Sequence, residues 1–269
     1  MSEDALRPAL SVVIPAFNEE RRLGATLRRV AEYCRSCGLT PEIVLVDDGS
    51  RDATAAVARE FIALYDGAAV LLVNHRNRGK GYSVRRGILA ARGERVLVSD
   101  ADLSTPIEEV HTLLERQEQD GAELVIGSRA LPGSRLEVRQ PALREWLGKA
   151  FNVAVRGLTG LAYRDTQCGF KLMMRDAVLP VVRSLRVDGF AFDVELLWRA
   201  RRAGLEVVEH PVRWRNSRRS SVGLLTDAPR MLWDLLRLRW RLEQEPSSAV
   251  QPSAAGAAEA RGEDGAARL

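Results

Sequence analysis

Cysteine and histidine are scarce, at three of each in 269 residues. Cys34 and Cys37 form a Cys-x-x-Cys pair, but a structural zinc site needs two more ligands. Only Cys168 and the scattered His75, His111 and His210 remain, so reduced thiols at a helix end are expected instead. No apolar run approaches the length needed to span a bilayer. Residues 1–8 are charged and lack the apolar segment of a signal peptide, so a cytoplasmic chain is expected, soluble or lying on a membrane. The glycines around Lys80 match neither Gly-x-Gly-x-x-Gly nor a Walker-type phosphate loop. Internal repeats are absent. A net charge of +4 suits phosphates or a lipid surface and does not single out nucleic acid, so no nucleic-acid partner is expected.

What is present is alternation. Short apolar runs at 10–14, 42–46, 70–73, 96–98 and 124–126 read as buried strands, with helical periodicity between them. That order predicts a mainly parallel α/β sheet, whose ligands bind beyond the carboxyl ends of the strands. Polar motifs follow these runs: Pro15-Ala16-Phe17-Asn18-Glu19, Asp47-Asp48-Gly49-Ser50-Arg51-Asp52, Asn77-Arg78-Gly79-Lys80-Gly81, Asp100-Ala101-Asp102 and Gly127-Ser128-Arg129. They should converge on one site. Asp100 and Asp102 are hard oxygen ligands suited to Mg²⁺ or Mn²⁺ shared with phosphates. Asp47 and Asp48 suit a base or ribose, and Lys80 and Arg129 a pyrophosphate; Asp47 and Asp52 also read as caps of the next helix. Thr105-Pro106-Ile107-Glu108 reads as a capping box that opens a helix just past the acids.

Farther on, residues 133–140 read as a polar mobile loop. Residues 142–161 form an amphipathic helix that fits either a core stripe or a lipid interface. Asp193 and Glu195 open another helix, as caps or as site residues. Residues 224–243 carry two apolar stripes. One is Leu225, Ala228, Leu232, Leu235, Leu238 and Leu242; the other is Trp233, Leu236 and Trp240, with Arg230, Arg237, Arg239 and Arg241 around them. The second stripe is expected to face anionic lipid, at roughly 1 kcal/mol per cation. Residues 246–269 have almost nothing to bury and should be disordered. The expected organisation is an extension at 1–9, one α/β domain at 10–223, a membrane-associating helix at 224–245 and a tail at 246–269.

These motifs, together with Asp165-Thr166-Gln167-Cys168-Gly169-Phe170-Lys171 and Phe192-Asp193-Val194-Glu195-Leu196, resemble inverting glycosyltransferase family 2 enzymes of the GT-A fold. Within that family the resemblance is to the polyprenyl- and dolichyl-phosphate branch, nearest its glucosyltransferase-like members, from about residue 10 to residue 242. It implies a Rossmann-like sheet and a nucleotide-sugar donor, with UDP-glucose ahead of GDP-mannose. The donor would meet Pro15, Ala16, Phe17, Asn18, Glu19, Asp47, Asp48, Lys80, Asp100 and Ala101. Asp102 would ligate Mg²⁺ or Mn²⁺ on the diphosphate, with Asp100 beside it on the ribose or the metal. Asp102, Arg129 and Asp193 are the implied catalytic residues. Asp193 would be a base toward a hydroxyl acceptor, but would only position or repel an acceptor phosphate that is already ionised. Arg129 and Gln167 would lie toward the acceptor, a polyprenyl phosphate at the cytoplasmic membrane face. Relatives carry a cation where this chain has Ser221, and Arg218 and Arg219 are the candidates to replace it. Ser104 stands where one family variant has glutamine, so a third side-chain metal ligand is not implied. A transferase with a soluble acceptor and a silent nucleotide-sugar-binding membrane adaptor are the alternatives. Oligomeric state is left open.

Overall fold

The computed structural model describes residues 7–138, 142–215 and 224–244. Three apolar runs form the centre: β1 (Leu10–Ala16), β2 (Glu42–Asp47) and β4 (Arg95–Val98). They are buried on both faces, as a parallel sheet covered by helices requires. With β3 (Ala69–Val73), β5 (Leu124–Ser128), β7 (Lys171–Met174) and β8 (Val207–Pro211) they make one sheet in the order β3-β2-β1-β4-β7-β5-β8. Every pairing is parallel except those of β7, which runs antiparallel between β4 and β5. This reversal matters for function. Lys171, the first residue of β7, pairs with Val98 and Ile126 at the carboxyl ends of its neighbours. The segment before β7 therefore enters the sheet at the edge where ligands bind.

Alternation along each strand builds the two layers. Val13, Val44, Val46, Val96 and Ile126 face one side, packed under α3 (Lys80–Ala90), α6 (Arg175–Ser184) and α7 (Phe192–Arg202). Val12, Ile14, Ile43, Leu45 and Leu97 face the other, under α1 (Leu23–Ser36), α2 (Thr54–Leu64) and α4 (Glu109–Asp120). The first layer also receives α5 (Ala142–Thr159) through Val155, and α8 (Leu224–Gln244) through Met231 and Leu235. One stripe of the last helix is thus core. Trp233, Leu236 and Trp240 stay exposed, as does Leu232, which periodicity had grouped with the buried stripe.

Several local expectations are corrected. The capping box does not form: α4 starts at Glu109, Thr105 Oγ1 lies against Cys168 Sγ instead, and a turn closed by Pro106 O leads into the helix. Leu64, placed on the buried face of α2, is 82% exposed. Within the segment read as a mobile loop, Arg135–Val138 is β6, which pairs in parallel with β9 (Arg213–Arg215) in a small second sheet. Residues 139–141 and 246–269 lie outside the described residues, as do Arg218, Arg219 and Ser221.

The loop between α6 and α7 is held from beneath. Glu195 is fully buried; its carboxylate accepts from the backbone N–H of Arg186 and Val187 (2.9 and 2.7 Å) and from Arg199 Nε at 2.8 Å. Glycine makes room above. A Cβ on Gly79 (φ 106) would lie 2.4 Å from Asp188 O, and one on Gly81 2.5 Å from Val187 O. These glycines admit this loop, not only a ligand, against the start of α3. Removing one partner of a buried pair costs about 3 kcal/mol or more. Glu195→Gln should therefore lower unfolding free energy by about 3 kcal/mol in urea titration; an unchanged midpoint would show that the loop does not depend on it.

Candidate active site

A cavity of about 750 Å³ opens beyond the carboxyl ends of β1, β2 and β4, where the strand order reverses direction and such sheets bind ligands. Pro15, Ala16, Phe17, Glu19, Asp48, Lys80, Asp100, Ala101 and Asp102 line it. Asn18, Asp47, Arg129, Gln167 and Asp193 are not among its lining residues.

Those five serve the walls. Asn18 takes a left-handed backbone (φ 56) and its Oδ1 accepts from Arg51 N at 2.9 Å, tying the first loop to the second. Asp47 Oδ1 accepts from Ser50 N at 3.0 Å and closes the turn at Gly49. Asp48 reaches the cavity, but its carboxylate accepts from Asn74 Nδ2, Arg78 N and Gly79 N at 2.7–2.9 Å. Its first task is to fix the loop that carries Lys80. Gln167 N–H donates to Asp165 Oδ1 at 3.2 Å.

Around the acids lies a chain of opposite charges, buried at Lys171–Asp193 and half-buried at Lys80–Asp100 and Arg129–Asp165. Lys80 Nζ sits 2.5 Å from Asp100 Oδ1. Lys171 Nζ sits 2.5 Å from Asp193 Oδ1 and also donates to Cys168 O. Arg129 donates through N, Nε and Nη2 to Asp165 at 2.9, 2.6 and 2.9 Å, with Trp214 5.5 Å from its guanidinium. Burial raises the acid Asp193 above the usual carboxylate range, against the pull of Lys171 and Lys80. Burial works the same way on Asp100 but loses: Lys80 first, then Lys171 and Arg129, hold it low. Desolvation likewise opposes charge on Asp165, and Arg129 overcomes it, bringing this acid down to about 2.

Asp102 differs. Its Oδ1 accepts from Ser104 N at 2.9 Å, and its cation, Arg22, stands off at 3.6 Å from Oδ2. Arg22 is itself engaged by Glu19. Among the described residues no three His, Cys, Asp or Glu side chains gather into a metal cage. Two carboxylates at one cavity edge still fit Mg²⁺ or Mn²⁺, because such ions complete their shell with phosphate oxygens and water. Asp102 is the better ligand of the two, since Lys80 already occupies Asp100.

Sequence reasoning missed several lining residues. Arg22 and Arg78 belong to motif neighbours, and only the fold shows that they reach inward. Arg186 and Asp188 come from the loop between α6 and α7; Arg230, Asp234 and Arg237 come from α8. The i, i+4, i+7 spacing of the last three was a visible signal that they share a face. Nothing local said which way that face points.

Residues 11–179 match the family model of Glycosyl transferase family 2. A dolichyl-phosphate beta-glucosyltransferase of Dictyostelium discoideum is 33% identical over 242 residues, covering 86% of this chain and 74% of its own length. One of Homo sapiens is 35% identical over 260 residues, covering 90% and 80%. Among solved structures, glucosyl-3-phosphoglycerate synthase from Mycobacterium tuberculosis, in complex with Mn²⁺, uridine diphosphate and glucosyl-3-phosphoglycerate, superposes with a TM-score of 0.63 at 20% identity. That match covers 90% of this chain and 82% of the other, and at this identity it speaks to the fold alone.

The Arg129–Asp165 pair has a pH signature. A carboxyl group lowered on folding adds stability above its ordinary range near 4 and loses it as pH falls toward the folded value, here about 2. Asp165→Asn should cost roughly 2 kcal/mol at neutral pH, and its deficit against the unaltered protein should close as pH drops from about 4 to about 2. Urea denaturation over that range checks this; a deficit independent of pH would count against it.

Proposed function

The chain belongs to glycosyltransferase family 2, with its GT-A fold, and from that premise we propose a hexosyltransferase passing glucose from UDP-glucose to a dolichyl or related polyprenyl phosphate. The observation that carries the donor side is the placement of Asp102: at the cavity edge, after the central strand, with its cation at 3.6 Å, farther off than those of Asp100, Asp165 and Asp193. The relatives named above support the choice of sugar and acceptor.

In this reading the nucleoside occupies the side walled by Pro15, Phe17 and Asp48, and the diphosphate lies over Asp100 and Asp102. Lys80, held by Asp100, keeps a positive charge beneath the leaving group, because that acid and Asp193 outweigh the burial that would lower it. Mg²⁺ or Mn²⁺, held chiefly by Asp102, would supply compensation for charge on the departing diphosphate. The acceptor phosphate oxygen attacks the anomeric carbon from the opposite face. The bond to the diphosphate breaks as the new bond forms, and the configuration inverts. An ionised phosphate oxygen needs no base, which agrees with Asp193 being buried against Lys171. Its role is then to hold Lys171 and, through charge, Lys80.

We assign the exposed Trp233, Leu236 and Trp240 of α8 to a lipid surface. No helix among the described residues is long and apolar enough to cross a membrane, so contact would be peripheral, and a cytoplasmic face suits a nucleotide-sugar donor. Indole rings suit the boundary between headgroup and acyl chain.

Asp102→Ala should abolish transfer with the denaturation midpoint retained; near-normal turnover would remove the donor assignment. With labelled UDP-glucose or GDP-mannose and a short polyprenyl phosphate, lipid-phase label should appear from UDP-glucose and vanish with a chelator. Label from GDP-mannose alone would reassign the sugar. Metal-dependent nucleotide release without lipid product would move the acceptor to a soluble molecule. Trp233→Ala with Trp240→Ala should weaken co-sedimentation with anionic vesicles by roughly tenfold or more; equal binding would free this face of that role.

A further inference from the structure

The cavity wall formed by α8 has a charge pattern unlike the rest of the site. Arg22, Arg78 and Lys80 each face an acid: Glu19, Asp188 and Asp100. Arg186, Arg230 and Arg237 line the same cavity, and among the described residues none of their guanidiniums is in an ion pair or a hydrogen bond. Asp234, between the two arginines of α8, is the acid of that helix among the residues lining the cavity. The loop approaches it closely, so that a Cβ on Gly189 would lie 3.7 Å from its Oδ2. Burial pushes Asp234 upward and the two arginines oppose the rise, while Asp188, the other acid of this wall, is already paired with Arg78.

We propose that Arg230 and Arg237 of α8, with Arg186 of the adjoining loop, form the subsite for the phosphate of the acceptor. The proposal rests on the transferase reading above for the identity of that acceptor. Guanidinium groups meet phosphate oxygens in a bidentate fork and stay charged at any working pH. The donor diphosphate belongs on the Asp100–Asp102 side, so a second phosphate requires a second cationic wall.

The same helix gives a lipid tail a way out. At about 100° per residue, Trp233 projects about 40° from Arg237 and about 60° from Arg230, and it is 60% exposed. On the other flank of the arginine face, Met231 and Leu238 also line the cavity but are packed to 7% and 2% exposure, so that side is closed. An apolar chain on a phosphate held by the arginines is therefore led over the exposed indole, not into the core. One helix would bind the headgroup on one face and accompany the tail on the next.

The test compares the full chain with its Arg230→Gln/Arg237→Gln variant. Equilibrium binding is measured for farnesyl phosphate, farnesol, glycerol 3-phosphate and UDP. Farnesyl phosphate should bind the unaltered protein and weaken roughly tenfold to a hundredfold in the variant, with UDP affinity and unfolding midpoint unchanged and farnesol indifferent to the substitutions. Equal farnesyl phosphate affinity in both proteins would overturn the subsite. So would a parallel loss of UDP binding, which would hand the arginines to the donor. If glycerol 3-phosphate binds as tightly as farnesyl phosphate and shows the same arginine dependence, the phosphate subsite stands and the lipid acceptor falls. Normal glucose transfer to farnesyl phosphate by the variant, with unchanged acceptor KM, would keep the lipid acceptor and remove the subsite.

Discussion

Seating Asp100 against Gly169, where any Cβ would lie 2.2 Å from its Oδ2, takes part of this carboxylate out of water and favours a cation beside it. Lys80 is that cation, at 2.5 Å. An isolated buried ion costs several kcal/mol, which a close, hydrogen-bonded pair largely recovers, and this applies most strongly to the deeper pair Lys171–Asp193. The same condition then propagates. Lys171 lies beneath and requires Asp193; Arg129 lies near Asp100 and is fixed by Asp165. Three acids and three cations close the local balance, drawn from α3, β4, β5, β7, α7 and their flanking loops. Asp102 stands at the edge of this lattice with Arg22 at 3.6 Å, so compared with Asp100, Asp165 and Asp193 it keeps a loosely held oxygen toward the cavity. Selectivity between two carboxylates one residue apart thus comes from their partners rather than from their chemistry.

Most of the architecture was legible because its causes are local. A buried parallel strand is a short unbroken apolar run, and its end is marked by the first polar residues, as at Val98 and Asp100. What failed was decided by distant segments. Thr105 looked like a cap, but Cys168, 63 residues on, took its hydroxyl side. Gly79 and Gly81 match no phosphate-loop pattern, and what they admit is the backbone of Val187 and Asp188, more than 100 residues on. Leu64 shares a helical stripe with Val57 and Phe61, which pack on the second layer, yet it projects past that layer and is 82% exposed. The candidate site divides in the same way. Its loops were found from strand ends, but the pairing of Arg129 with Asp165 is a long-range contact on which no spacing bears.

The reversed strand explains why one motif seemed misplaced. In a parallel sheet functional residues follow strands, yet 165–171 precedes one. Because β7 is antiparallel, its amino end lies where its neighbours' carboxyl ends lie, with Lys171 across from Val98 and Ile126. The chain thereby delivers Asp165, Gly169 and Lys171 to Arg129, Asp100 and Asp193 in a single pass. A parallel strand in that position would carry the same residues to the far edge. Antiparallel insertion is thus a functional feature of this sheet and not an irregularity.

Helix α8 closes the argument, because its three faces answer to three environments. Met231, Leu235 and Leu238 are buried; Arg230, Asp234 and Arg237 look into the cavity; Leu232, Trp233, Leu236 and Trp240 face outward. A helix fixed by core packing cannot rotate to favour one face without losing another, since burial of three apolar side chains is worth several kcal/mol (roughly 1.5–3 each). The cationic wall and the aromatic surface are therefore rigidly coupled. Whatever surface the tryptophans rest on is held at a constant orientation to the cavity beside Asp100 and Asp102, and the fold needs no hinge to present one to the other.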